Sequence, residues 1–111
     1  IIRAGAASYV QPSVTKVGGV TELRKVAALA EVAGIEMVPH CVCFGPGLLA
    51  TLHLIAAQPR PIAVEYFRLG LEGRPYGKRA EPADGKFALP TAPGLGFEPD
   101  PGFLSTYRVK P

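Results

Sequence analysis

Cysteine is scarce in this chain: two residues of 111, Cys41 and Cys43, stand one residue apart. Positions so close along an extended chain are poorly placed for a stapling disulfide, so the fold is not expected to depend on one. A reduced, cytoplasmic setting is the matching expectation. No apolar run reaches the ~18 residues needed to span a bilayer. The opening IIRAGAAS lacks the long apolar core of a secretory signal. Tryptophan is missing, yet the 48% hydrophobic content is ample for one core. Dense charge is missing too: twelve Lys and Arg against nine Asp and Glu leave a net charge of +3, and the basic residues are scattered. The nearest approach to a basic cluster, Arg74 to Arg79 with Tyr76 inside it, falls in a loop-like region and reads as solvated loop rather than nucleic-acid surface.

What is present is a repeated strand–helix grammar. Ser8 to Gln11 reads as a short strand closed by Pro12, whose missing N–H suits a strand end. Gly18 and Gly19 form a turn, and Thr21 is placed to cap a helix with Glu22 in its first turn. Leu23, Val26, Ala27 and Ala30 recur at helical spacing, so one face is expected to be buried. Gly34 fits the left-handed position that ends helices. Ile35 to Val38 is a short, mostly apolar run, the pattern of a buried parallel strand. The second unit follows the same order: Gly45, then Pro46 at the first helical position, with Leu48, Leu49, Leu52 and Ile55 as the apolar side. The helix ends by Gln58 before Pro59, and Ile62 to Phe67 is the next strand.

Residues 1–69 hold these regular units, and residues 70–111 are different. Ten of the twelve prolines follow Gly45, and turns dominate the second part. Asp84-Gly85 followed by KFALP reads as a turn and a short strand, and PGLGFEPDPG as an ordered, irregular tail. Three parallel strands and two helices fall short of the eight units of a closed barrel. The pattern is therefore that of a C-terminal piece of a parallel α/β domain, incomplete on its own.

Chemistry in parallel α/β folds sits at the carboxyl ends of the strands, where this chain presents His40 and Glu65. A neutral imidazole is a suitable general base near neutral pH; the plainer reading is a structural histidine in the turn after Pro39. A carboxyl among Val64, Tyr66 and apolar walls can keep its proton and donate it; the plainer reading pairs Glu65 with Arg68 or another rim cation. His53, within LATLHLI, reads as a helix-packing residue. The Gly18-Gly19 turn is weak evidence for a phosphate cradle and is read as turn geometry. His40-Cys41-Val42-Cys43 lacks the distant second ligand pair of a zinc knuckle, so the cysteines read as small packing residues and no metal ligand is assigned.

The segments QPSVTKVGGVTELRKVAALAEVAGIEMVPH, FGPGLLATLHLIAA, VEYF and DGKFALPTAPGLGFEPD resemble, in order and spacing, the C-terminal part of the enolase superfamily. The mandelate racemase and muconate-lactonising branch is the more closely similar one. The resemblance implies the sixth to eighth strands of a modified (β/α)7β TIM-like barrel, then a terminal segment, residues 70–111, returning towards a capping domain that this sequence does not include. It implies proton abstraction next to a carboxylate, with Mg²⁺ stabilising the enediolate. His40 matches the family's base and Glu65 the acid that hydrogen-bonds the substrate carboxylate. Lys16 stands where the family often has lysine; it either lends positive potential to an acidic substrate or simply faces solvent. Ser13 stands where the racemase-like subgroup has an aspartate and the lactonising subgroup a lysine. A serine can accept a hydrogen bond from His40 but brings no charge to stabilise an imidazolium.

The family's metal-binding carboxylates and its other lysine base belong to earlier strands. The 111-residue chain alone is thus expected to bind no Mg²⁺ and to be inactive, whereas the parent protein is expected to be a lyase or isomerase acting on a small carboxylate: an acid-sugar dehydratase or racemase-type enzyme. No nucleic-acid or membrane partner is expected. A homo-oligomer is, because exposed sheet edges favour pairing. The alternative is a non-catalytic fragment, stable only through self-association or pairing with other chains.

Overall fold

The computed structural model describes residues 1–109. Lys110 and Pro111, the last two positions of the 70–111 segment, lie outside the described residues. The elements run β1 (Tyr9–Val10), α1 (Val20–Val32), β2 (Glu36–Met37), β3 (His40–Cys41), α2 (Pro46–Ala56), β4 (Glu65–Tyr66) and α3 (Pro101–Tyr107), with 3-10 turns at Ile2–Ala4 and Gly77–Ala80. Strands and helices alternate along the first two thirds of the chain, an α/β arrangement. Among the described residues, no helix is long and apolar enough to cross a membrane.

The short strands make two parallel pairs, β1 with β2 and β3 with β4. The hydrogen bonds join them further. Backbone amides of Glu36, Val38 and His40 donate to the carbonyls of Ser8, Val10 and Pro12, at 3.3, 3.0 and 3.1 Å. On the other side, Glu65 N–H donates to Pro39 O at 3.1 Å. Residues 36–41 are thus one extended run between two partners, and Pro39 divides it. Residues 37, 39 and 41 of that run face β4, so the proline's missing N–H thins the ladder on that side. The expected strands Ser8–Gln11, Ile35–Val38 and Ile62–Phe67 are each shorter in the structure, Tyr9–Val10, Glu36–Met37 and Glu65–Tyr66, and the proline accounts for the thinning on the β4 side.

Alternation along the run sorts its side chains. Met37, Pro39 and Cys41 are buried, whereas Glu36 is exposed and Val38 and His40 are half-buried. Met37 joins Leu23, Ala27, Ala30, Val14 and Leu54 in one apolar cluster beneath α1 and α2. Cys41 joins Leu48, Leu49, Leu52, Tyr76 and Ala80 in a second. The second cluster draws in Phe87, Leu95 and Phe97, so the Pro-rich segment closes the outer side of α2. Leu23, Leu48 and Leu49 are at most 1% exposed, and each such burial contributes roughly 1.5–3 kcal/mol.

The helices end as their sequences dictate, with one correction. Gly19 (φ 96°), not Thr21, is the N-cap of α1, and Thr21 lies within the first turn. The paired positive φ of Gly18 and Gly19 brings the chain into the helix without a side-chain cap. At the other end Gly34 has φ 67°, with Gly34 N–H on Glu31 O and Ile35 N–H on Ala30 O, the double closure of a Schellman motif. Helix α2 begins at Pro46 and stops at Ala56, two residues before the expected Gln58. The Gln58 side chain donates to the Leu54 carbonyl at 3.0 Å and so finishes the helix rather than extending it.

Two further expectations are corrected in the second part. Asp84 (φ 49°) and Gly85 (φ 72°) make the turn, but only one bridge, Ala83 to Lys86, follows; KFALP forms no strand among the described residues. The tail ends in a helix, α3, rather than in irregular chain. Asp100 Oδ1 accepts from Phe103 N–H at 2.7 Å and Pro101 takes the first helical position. The radius of gyration is 15.3 Å, against about 13 Å for a compact domain of this length. The open shape follows from a sheet with helices on one face only.

Candidate active site

The uncovered face carries the titratable pair. β3 and β4 are in register with His40 opposite Glu65, so both side chains leave the sheet on the side away from α2. The His40 Nδ1 and Glu65 Oε2 atoms are hydrogen-bonded. The side chains are 30% and 42% exposed, so the expectation that apolar walls enclose Glu65 is not met: its partner is an imidazole at an open face. Arg68 is not that partner. Nδ1–H donating to a carboxylate fixes the tautomer and leaves Nε2 as the acceptor. Among the described residues, Nε2 makes no hydrogen bond.

Ser13 lies close by along the chain but serves another bond. Its neighbour Pro12 accepts the His40 backbone N–H, after which the chain turns: Ser13 O accepts from Lys16 and Val17 N–H, each at 2.9 Å. The Ser13 hydroxyl, buried, pairs with Thr15 Oγ1 at 3.1 Å. The serine is therefore directed to its own turn, not to the imidazole, and Glu65 holds the ring nitrogen instead. Lys16 is exposed on that turn. His53 is half-buried and its Nε2–H donates to Leu95 O at 3.2 Å, tying α2 to the C-terminal segment.

Sequence reasoning missed Arg74. Its side chain, 15% exposed, donates to Tyr66 Oη at 2.6 Å and Leu69 O at 2.7 Å, and its Nε lies 3.2 Å from Glu81. The guanidinium also stands 4.7 Å above the Phe44 ring. Arg74 thus ties Tyr66, next to Glu65 in β4, to the chain that follows at Leu69 and to Glu81 and Phe44. Arg79 stays exposed but lies 5.0 Å over Phe97 and donates to Tyr76 O and Glu98 O. An arginine next to a Tyr–Phe cluster was the available signal, read instead as a solvated loop.

The two cysteines meet. Cys41 Sγ and Cys43 Sγ are 2.9 Å apart, both free. The hydrogen bond from Cys43 draws the Cys41 thiol down to about 7, against the opposing effect of burial; the same bond, with burial, pushes the Cys43 thiol up. Among the described residues, no three His, Cys, Asp or Glu side chains converge as a metal site. The donors in this chain do not by themselves fit Mg²⁺.

Residues 1–103 match the family described as Enolase C-terminal domain-like. The chain belongs to that family. This enolase-like chain is 31% identical over 111 residues to the arabinonate dehydratase of Saccharolobus solfataricus, covering 99% of this chain and 30% of that protein. It superposes on the mandelate racemase/muconate lactonizing enzyme from Sulfitobacter sp. with a TM-score of 0.78 at 33% identity, over 96% of this chain and 27% of that one. The L-talarate dehydratase from Polaromonas sp. JS666, crystallised with Mg and L-glucarate, matches at 42% identity and a TM-score of 0.50, over 60% of this chain and 16% of that one. The enolase-like chain spans less than a third of each.

Proposed function

We propose that this chain is the C-terminal part of a Mg²⁺-dependent acid-sugar dehydratase or racemase-type enzyme that abstracts a proton α to a carboxylate. In this reading β1, β2–β3 and β4 are the sixth, seventh and eighth strands of a (β/α)7β barrel. The observation that carries it is the in-register His40–Glu65 pair at the open strand face. His40 Nε2 takes the proton, and Glu65 Oε2 on Nδ1 holds the ring in its orientation and tautomer. Glu65 Oε1 is left to face the substrate carboxylate, and with a proton on it becomes a donor to the charge building there. Lys16 supplies positive potential at the rim. Mg²⁺ belongs to the reading through the Polaromonas relative, and its holders are residues outside this chain.

The test uses the whole protein that carries this segment, incubated in deuterium oxide with a panel of aldonic and aldaric acids. Exchange at the carbon next to the carboxylate is followed by proton NMR. His40→Asn should lower the exchange by about 10²–10⁴-fold. Undiminished exchange in that variant removes His40 from the proton-transfer role.

A second reading, a chain that needs other strands for stability, has its own support. Tyr9, Leu29, Phe67 and Leu104 are 45–60% exposed, and β1 and β4 each have an unpaired edge. Sedimentation of the 111-residue chain as a compact monomer at micromolar concentration would count against it.

A further inference from the structure

We propose that Cys41 and Cys43 are a peroxide-oxidisable dithiol that closes to an intramolecular disulfide on the helix side of the sheet, one residue from His40. The proposal concerns thiol chemistry alone and stands whether or not the proton-abstraction reading does.

Position is the first argument. The sulfurs are 2.9 Å apart, and a disulfide bond is about 2.05 Å long, so closure needs a movement of under about an ångström. The chain has no other cysteine to compete. The surroundings fit as well. Cys41 is 1% exposed beneath α2, while Cys43 is half-buried and opens the pair to solvent. Gly47, in the first turn of α2, makes room for this arrangement: a Cβ there would stand 3.2 Å from Cys43 Sγ and 2.7 Å from Thr15 Cγ2.

The chemistry divides between the two sulfurs. The hydrogen bond from Cys43 favours a Cys41 thiolate, so one proton is shared by the pair near neutral pH. The Cys41 thiolate attacks hydrogen peroxide: an S–O bond forms, the O–O bond breaks and hydroxide leaves, taking the Cys43 proton to give water. The Cys43 thiolate then attacks the Cys41 sulfenic sulfur. The S–S bond forms, the S–O bond breaks, and the departing hydroxide takes a proton from solvent. Two sulfurs have lost one electron each, both peroxide oxygens are reduced, and two waters are released.

The test is intact-mass spectrometry of the reduced full chain, dilute at neutral pH, with stoichiometric hydrogen peroxide. The expected product is lighter by two hydrogens, is closed to maleimide at both cysteines, carries a peptide-mapped link between residues 41 and 43, and reverts with dithiothreitol. Closure should be about tenfold faster folded than in urea, because folding holds one sulfur as thiolate beside the other. Cys43→Ser should stop at a Cys41 sulfenic acid, read as a gain of one oxygen that dithiothreitol removes, and Gly47→Ala should slow closure by displacing Cys43. The wild-type mass decides the matter even where a variant does not fold. Stable addition of oxygen to one cysteine, disulfide-linked dimers, or two thiols that persist would each overturn the proposal.

Discussion

Replacing Arg74 by methionine tests whether the C-terminal segment holds β4, and with it Glu65, in place. Methionine keeps the apolar stem and removes only the guanidinium. That group makes two hydrogen bonds, to Tyr66 Oη and Leu69 O, at 2.6 and 2.7 Å. Hydrogen bonds from a charged group contribute roughly 1.5–3 kcal/mol each. Its position over Phe44 at 4.7 Å adds about 0.5–2 kcal/mol where the cation is partly desolvated. The contact with Glu81, whose side chain is 40% exposed, adds about 1 kcal/mol or less. These contacts share one ordered side chain and are not additive, so the expected loss is about 2–4 kcal/mol. With a urea slope of about 1–3 kcal/mol/M for small proteins, the midpoint of unfolding followed by circular dichroism should fall by about 1–2 M. Glu81→Gln is the control and should move it little. A change below about 0.5 kcal/mol for Arg74→Met, the size of an ordinary surface substitution, would refute the clamp.

Three other outcomes follow from the same geometry. Gly96→Ala should destabilise by about 2–4 kcal/mol, because φ is +84° and a Cβ would fall 2.2 Å from Pro90 Cβ; Gly94→Ala, with φ +70° and open space around it, should cost only about 1–2 kcal/mol in the same urea titration. Asp100→Ala should cost about 1 kcal/mol and expose α3 to proteolysis, since the Asp100 carboxylate is the cap on Phe103 N–H; unchanged protection would refute the role of the cap. The reduced protein should develop one thiolate, not two, with a midpoint near pH 7 by ultraviolet absorbance, because Cys43, Thr51 and His40 all favour the Cys41 anion. A thiol lowered by folding stabilises above its ordinary value of 9.0, and that contribution is lost as pH falls through about 7. The urea midpoint should therefore drop over that window in wild type and not in Cys43→Ala.

Regular local signals carried far. The glycine stop at Gly34, the Gly45-Pro46 start and the apolar spacing of both helices were readable because each acts within a turn or two of chain. The family was readable in the same stretches. Contacts distant in sequence were not. Nothing near Glu65 announces that its oxygen meets an imidazole twenty-five residues away; that follows from the register of β3 and β4. Nor does Ser13 announce Thr15 as its partner, a choice made by the turn after Pro12. The short strands were over-extended because alternation and apolarity say nothing of whether both edges find partners. Helix α3 was legible but passed over: Asp100-Pro101 is a cap followed by a first-turn proline, hidden among prolines that read as loop.

The parity of the 36–41 run ties the remaining observations together. With strict alternation, odd positions serve the helices and even positions serve the open face, so Cys41 and His40 stand on opposite sides of one strand. The backbone that joins them is held on both sides: the His40 N–H is fixed by Pro12 O, and the neighbouring Pro39 carbonyl by Glu65 N–H. A change in the thiols therefore reaches the imidazole through charge, since His40 favours the Cys41 anion, while the chain between them is held by two hydrogen bonds. Ser13 sharpens the consequence. Because the first strand supplies no charge to the ring, the orientation of His40 rests on Glu65 from the opposite neighbour, and the ring is held through β4, the strand that Arg74 clamps from below. Weakening that clamp should loosen the His40–Glu65 pair, whereas Ser13→Ala, which touches only the turn, should leave it intact.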